Sequence, residues 1–291
     1  MTSLSLPELA IDTPLRRGIA ESAKAWSSIE AAEQSLLSGV IPPFLLEPAW
    51  EAFARRAAAL IRDRGYAVAR GLDVDDGRSL LLVSTIVGDR FETYAPGRIV
   101  KRFRMSPWTR SLSHTLAAGN FHTDGNVSPI PPAGTVMQCE RDDPGGDGYA
   151  ELRVAPVGAL LEQLALGGEP GREAIAFLRN EEVAMAHERS PAQWSGRAVE
   201  EGRIRYHPES LRVAQARAGA PPERLERVIA TVHEAALAAS IPFRARPGDT
   251  LLVSNRHALH YRGECSVRFT RFPTEFESRS LLVLHRAGPD D

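Results

Sequence analysis

Apolar residues along this chain follow two periods, and the changes between them mark the elements. From Pro48 onward, Trp50, Phe53, Ala54, Ala57, Leu60 and Ile61 recur three and four apart, which predicts a helix with one apolar stripe. Arg62, Arg64 and Gly65 suit its C-terminal end, where cations meet the helix dipole and glycine accepts a left-handed cap. Tyr66-Ala67-Val68-Ala69 then reads as a strand ending at Gly71. The polar stretch from Phe91 to Asp124 has no period and is broken at Pro96-Gly97 and Pro107. Thr135 to Cys139 reads as a strand, and Asp142 to Gly148 as a turn-rich loop. A helix is predicted from Pro156 to Leu166, stopped by Gly167-Gly168. Another runs from Pro222 to Ala239, with Leu225, Val228, Ile229, Val232 and Ala236 on one face. Pro247-Gly248-Asp249 is a turn before a buried strand, Thr250 to Ser254, and Ser280 to His285 is a last strand. Residues 1 to about 46 show no clear period. Strands towards both ends with helices between them predict a β core carrying helical insertions, and a β barrel or sandwich of this size is often one domain.

Composition narrows the function classes. The chain has 291 residues, 43% of them hydrophobic, ample for a sizeable core. Lys and Arg number 35 against 37 Asp and Glu, so no basic field argues for nucleic acid or an anionic membrane surface. Two cysteines, Cys139 and Cys265, support neither a disulfide framework nor a cysteine-based zinc site. The opening residues lack a basic segment followed by an apolar run, and no stretch of about 18 apolar residues occurs, so neither a secretory signal nor a membrane span is expected. The default expectation is a cytoplasmic protein; its oligomeric state is not legible.

The chemistry concentrates in Asn120-Phe121-His122-Thr123-Asp124-Gly125 and, far downstream, Asn255-Arg256-His257-Ala258-Leu259-His260. In an extended segment residues i and i+2 share a face, so His122 and Asp124 can reach one metal ion while Thr123 points away. Gly125 lets the chain turn directly afterwards. Two histidines and one carboxylate form the facial triad that holds non-haem Fe(II) and leaves the opposite coordination positions open. Alone, His-x-Asp is a weak signal that a surface or capping pair would also give. The third ligand could be His257 or His260; three apart on an extended chain they face opposite ways, and periodicity does not choose between them.

From about Tyr66 onward the chain resembles the taurine dioxygenase and clavaminate synthase-like superfamily of Fe(II)/2-oxoglutarate oxygenases. The resemblance lies in Asp63 to Gly71, in Asn120 to Asp124 followed by Pro131-Pro132-Ala133-Gly134, in Pro144-Gly145-Gly146-Asp147, and in Asn255 to Tyr261. It covers roughly residues 60 to 287, with 168 to 240 matching only loosely. It implies a double-stranded β-helix (jelly-roll) core in one domain, with an N-terminal helical part (about 1–64) and an inserted helical segment (about 155–240). It implies His122, Asp124 and His260 as metal ligands and catalytic centre, with His257 a neighbour. It also implies Fe(II), O2 and 2-oxoglutarate, the last chelating iron through its 2-oxo and C1-carboxylate groups and leaving as succinate and carbon dioxide.

The same resemblance places an arginine on the strand after the distal histidine to grip the far carboxylate of 2-oxoglutarate. Arg279, on the final apolar strand, is the first choice, with Arg271 and Arg268 as alternatives nearer to His260. A guanidinium fork matches a carboxylate in shape and charge. Two departures stand out. The family's second arginine on that strand is replaced by Val283, and the Thr or Ser that commonly follows the glycine pair is replaced by Asp147-Gly148-Tyr149-Ala150. Asp124 itself argues against halogenation, for which related enzymes clear the carboxylate away.

The expected reaction is hydroxylation of a C–H bond in a small molecule of secondary or amino-acid metabolism, free or tethered to a carrier. Desaturation or cyclisation at the same centre is the alternative. A non-catalytic metal-binding jelly roll and a zinc hydrolase are rivals from other classes. Asn120 and Tyr94 are candidate substrate contacts, with bracing and loop packing as the plainer readings. Trp108 and Phe103 share that choice. His114, His187, His207, His233 and His285 lack ligand spacing and read as hydrogen-bonded or surface residues; Cys139 reads as a small core residue.

Overall fold

A computed structural model describes residues 5–40, 47–111 and 113–287. The opening residues 1–4, and 41–46 within the expected N-terminal helical part, lie outside the described residues. In chain order the elements begin with β1 (Glu8–Ala10), α1 (Thr13–Ala25), α2 (Ile29–Leu37), α3 (Pro48–Arg64), β2 (Tyr66–Arg70), α4 (Arg78–Ser84) and β3 (Lys101–Arg104). β4 (Gly134–Arg141) and β5 (Glu151–Pro156) lead into α5 (Val157–Leu166) and α6 (Gly168–Asn180). Four short strands follow, β6 (Val183–Ala186), β7 (Gln193–Gly196), β8 (Val199–Glu200) and β9 (Arg203–Ile204), and then α7 (Pro208–Arg217) and α8 (Glu223–Ala238). The chain closes with β10 (Phe243–Arg244), β11 (Thr250–Ser254), β12 (Ala258–Arg262), β13 (Val267–Arg271), β14 (Glu275–Ser278) and β15 (Ser280–Arg286). More residues lie in helices than in strands, so the architecture is mixed where the sequence pattern predicted mainly β. The difference comes from helices that the pattern missed, α1, α2, α4, α6 and α7.

Two sheets organise the molecule. The larger has the order β1-β2-β11-β4-β15-β3, and the smaller β10-β5-β12. β11 runs antiparallel to both β2 and β4, and β15 antiparallel to both β4 and β3. Alternate side chains of the large sheet enter different cores. Ala67, Ala69, Val136, Leu252, Leu282 and Leu284 pack outward against α1 to α4. Val68, Cys139, Leu251, Val253, Leu281 and Val283 point inward to meet Leu152, Val154 and Ala258 of the small sheet. A strand covered on both faces is buried at every position, and Thr250–Ser254 accordingly has an apolar centre, Leu251-Leu252-Val253, between a buried Thr and a buried Ser.

The predicted helices hold. α3 buries Trp50, Phe53 and Ala57 and ends at Gly65 with φ 78°, the left-handed cap. α8 buries Leu225, Val228, Ile229, Val232, Ala235 and Ala236 against α5 and α6 in a separate core over the small sheet. Gly167-Gly168 ends α5 as expected, but a second helix starts at once. Gly171 allows this: a Cβ there would lie 1.9 Å from the Leu164 carbonyl oxygen, so only glycine lets α6 fold back this tightly. No helix among the described residues is long and apolar enough to cross a membrane.

Candidate metal centre

The two ligand segments are bonded to each other before any metal is considered. His122 and His260 form an antiparallel bridge, with His122 N–H donating to the His260 carbonyl (3.1 Å) and His260 N–H returning to the His122 carbonyl (3.0 Å). Residues paired in this way project their side chains to the same side. Asp124, two residues on from His122, joins that side, while the buried Thr123 turns away to the Tyr206 carbonyl. Gly125 (φ 62°) makes the turn; a Cβ there would lie 2.5 Å from Pro132 Cδ.

His122, Asp124 and His260 each offer a ligand atom, all within 4.8 Å of one another. His122 Nε2 lies 3.8 Å from Asp124 Oδ1, and His260 Nε2 lies 3.4 Å from Oδ2. Metal–ligand bonds of about 2.1 Å set adjacent donors roughly 3 Å apart, so an ion needs only a small adjustment of these side chains. His122 Nδ1 is 2.7 Å from the Asn120 carbonyl and donates to it, which fixes Nε2 as the free lone pair. His260 Nδ1 is buried without a partner among the described residues, so a metal on Nε2 would set its tautomer.

Charge suits the same purpose. Burial pushes the His260 imidazole down to about 4, against the opposing pull of Asp124, so it stays neutral as a ligand must. Burial would raise the Asp124 carboxyl, but His260, His285 and His122 outweigh it and hold it well below the usual carboxylate range. Thr135 Oγ1 donates to Asp124 Oδ2 at 2.6 Å. Asn255 clamps the backbone: its Oδ1 accepts from Asp124 N–H (2.7 Å), and its Nδ2 donates to the Asp124 and Pro132 carbonyls (both 2.9 Å).

Arg279 lies just before β15, and its side chain is fully buried. Its Nη1 donates to the Ala150 carbonyl at 2.6 Å, while Nε and Nη2 have no partner among the described residues. A buried guanidinium with idle donors is costly unless an anion meets it. Arg271 is exposed on the β13–β14 hairpin, and Arg268 there pairs with Glu277. Neither is brought to the centre. His257 is exposed, with Nδ1 3.2 Å from the Gly202 carbonyl. Asn120 commits its side-chain amide to Glu209 (2.9 Å), the bracing role. Tyr94 lines a cavity beside the centre with Glu92, Lys101, Val283 and His285. Trp108 instead packs at the surface against Phe269 and Phe272.

Two histidines passed over for lack of spacing stand at the centre. His285 Nε2 is 3.5 Å from Asp124 Oδ2, and its Nδ1 is 3.9 Å from Glu92. Burial opposes its charge, but the bond to Asp124 and the charges of Asp124 and Glu92 win and raise its pKa. His207 packs edge-on to His122 at 5.3 Å, and burial pushes it down to about 3. A usable signal existed for His285 alone: Leu281, Val283 and His285 share one face of the last strand by period two.

No family model matches the chain, and no curated protein matches it. Solved structures do. Asparagine oxygenase in complex with Fe(II), 2S,3S-3-hydroxyasparagine and succinate aligns with a TM-score of 0.69 at 19% identity, covering 96% of this chain and 93% of that one. The non-heme iron oxygenase OrfP, with Fe, succinate and (3S)-hydroxy-L-Arg, aligns with a TM-score of 0.67 at 16% identity, covering 96% and 94%. PvcB from Pseudomonas aeruginosa aligns at 0.55 and 18% identity, covering 81% and 80%. The chain shares their fold. At these identities the likeness carries the architecture, and the chemistry must be argued from the side chains.

Proposed function

We propose that this protein is an Fe(II)- and 2-oxoglutarate-dependent oxygenase that hydroxylates a C–H bond of a small, amino-acid-like molecule. The observation that carries the reading is the convergence of His122, Asp124 and His260 on one face, with a fully buried, half-satisfied Arg279 on the neighbouring sheet. In this reading the two facing sheets are the double-stranded β-helix of a single oxygenase domain, with helical parts over about 1–64 and 155–240. The solved structures that share the fold support it: asparagine oxygenase and OrfP are described with iron, succinate and hydroxylated amino acids.

The residues fit the groups. Two imidazoles, that of His260 kept neutral by burial, and a carboxylate held anionic suit Fe(II) and leave its other face open. The idle Nε and Nη2 of Arg279 would hold the distal carboxylate of 2-oxoglutarate in a charge-assisted pair, with the Ala150 carbonyl fixing the guanidinium plane. When bound, iron and 2-oxoglutarate supply the oxidising power, with succinate and carbon dioxide released. The chain itself orients Asp124 through Thr135, His285 and Asn255, keeps the His260 imidazole unprotonated, and excludes water with the apolar inner wall of Met137, Leu281 and Val283. A zinc hydrolase could use the same three ligands, but it has no use for a buried cation awaiting a dicarboxylate.

Anaerobic addition of Fe(II) and 2-oxoglutarate gives the weak visible charge-transfer band of the chelate. Activity returns to metal-stripped protein with Fe(II) and not with Zn(II). Absence of the band, with no oxygen-dependent succinate formation on any amino acid tried, sinks the proposal. Product mass separates hydroxylation, a gain of one oxygen, from desaturation or cyclisation, a loss of two hydrogens.

A further inference from the structure

The cavity next to the metal centre contains an unassigned pair of opposite charges. Glu92, Tyr94, Ile99, Lys101, Val283 and His285 line it, and His285 is the wall it shares with Asp124. Lys101 stands directly opposite Val283 in the β3–β15 register, so the two side chains leave the sheet side by side, with Cβ atoms about 5 Å apart. Among the described residues Lys101 forms no ion pair; its ammonium rests over the Tyr94 ring at 5.3 Å from the centroid. Apart from His285, it is the only cationic side chain among the described residues lining the cavity. Glu92 lines the same cavity and reaches His285 Nδ1 at 3.9 Å. Glu92 and Lys101 form no ion pair with each other among the described residues: Glu92 faces His285, and Lys101 is left without an acidic partner.

Resting on the oxygenase reading above, we propose that this cavity is the substrate subsite and that it selects a free zwitterion. Lys101 holds the carboxylate and Glu92 faces the ammonium. Three features of the wall favour this guest. A lone anion would meet Lys101 but be repelled by Glu92 and Asp124. A lone cation would leave Lys101 unpaired. A zwitterion meets both, with the Tyr94 ring beside the Lys101 ammonium. The pair also decides between free and carrier-tethered substrates: an amino acid held as a thioester or amide has no carboxylate for Lys101. Lys101 is thus a specificity residue, one strand over from the place where the β15 side chain is the apolar Val283.

The test uses the full chain loaded with Co(II), whose absorption reports metal uptake without turnover, and then with 2-oxoglutarate. Calorimetric titration with the proteinogenic L-amino acids finds a ligand. That ligand is compared with its C-terminal amide and its decarboxylated amine. The expected result is that the amide and the amine bind about tenfold or more weaker, the worth of one charge-assisted hydrogen bond. Lys101→Ala loses that discrimination and Lys101→Arg keeps it, while in the iron enzyme KM rises far more than kcat falls. The proposal is overturned if Lys101→Ala binds the amino acid as wild type does, if the amide binds as tightly as the acid, or if no amino acid binds protein that has taken up Co(II) and 2-oxoglutarate. Protein that takes up no Co(II) sinks the oxygenase reading itself, and this one with it.

Discussion

The two faces of the six-stranded sheet are made by the same strands and obey different rules. The outer face is largely apolar: Ala67, Val136, Leu252, Leu282 and Leu284 meet the N-terminal helices, and the buried Gln138 on the same face donates to the Asp73 carbonyl. The inner face interleaves Val68, Leu281 and Val283 with Thr135, His285, Arg279 and Lys101, each aimed at a ligand, a carboxylate or a cavity. A period of two lets one strand do both, because neighbours in sequence never share a face. The outer face supplies stability without specific chemistry. The inner face bears the cost of buried polar groups and gains a rigidly held site.

The sharpest break between the faces comes at Asp124. Asp124→Ala removes metal uptake, read by Co(II) absorption, while leaving the metal-free protein's unfolding midpoint within a few degrees. Next is Arg279→Met. It weakens 2-oxoglutarate binding roughly 100-fold or more, as loss of a buried charge partner does. In the same variant the metal-free protein keeps its stability or gains about 1–4 kcal/mol in urea, because an idle buried charge has gone. A large loss of stability there would mean that Arg279 is a structural residue. The outer face responds the other way. Leu282→Ala costs about 2–5 kcal/mol of unfolding free energy, with unchanged metal affinity in the folded fraction.

Smaller effects test the supports. Asn255→Ala frees the Asp124 turn from three hydrogen bonds; it costs about 1–3 kcal/mol and weakens Co(II) binding, whereas a purely structural amide would leave metal affinity intact. Smallest is the inner-face thiol. Burial pushes Cys139 up to about 11, while an unfolded thiol ionises near pH 8.5. The folded state therefore loses stability as pH climbs through that window and none below it. Native protein at pH 8 resists iodoacetamide at Cys139 and reacts once urea unfolds it; rapid native labelling, read by peptide mass, would count against a sealed inner face.

Legibility followed the length and regularity of each signal. α3, α8, β11 and β15 were readable because a sustained apolar period, or an unbroken apolar run, survives any tertiary context. α6 was hidden by Gly167-Gly168: glycines that usually end a helix here make the tight return between two. β5 was missed because Glu151-Leu152-Arg153 looks polar, although Arg153 pairs with Glu151 and crosses to the Leu237 and Ser240 carbonyls. Of the site, His122 and Asp124 were plain from i, i+2 spacing. The choice of His260 over His257 needed the family likeness, and the bridge to His122 supplies the physical reason. Thr135 and His207 had no local signature, since their partners lie 11 and 85 positions from them, and His285 offered only its place on the period-two face of the last strand, 161 positions from Asp124.

By itself the sequence determined the ligand types, the segment that presents two of them, and the apolar strands that form the large sheet, because these depend on side-chain chemistry and short-range period. The family likeness singled out His260 and Arg279; tertiary structure brought His260 against His122, left Arg279 buried with idle donors, and set Lys101 beside Val283. Those are matters of strand register, set by packing and hydrogen bonding between segments more than a hundred residues apart.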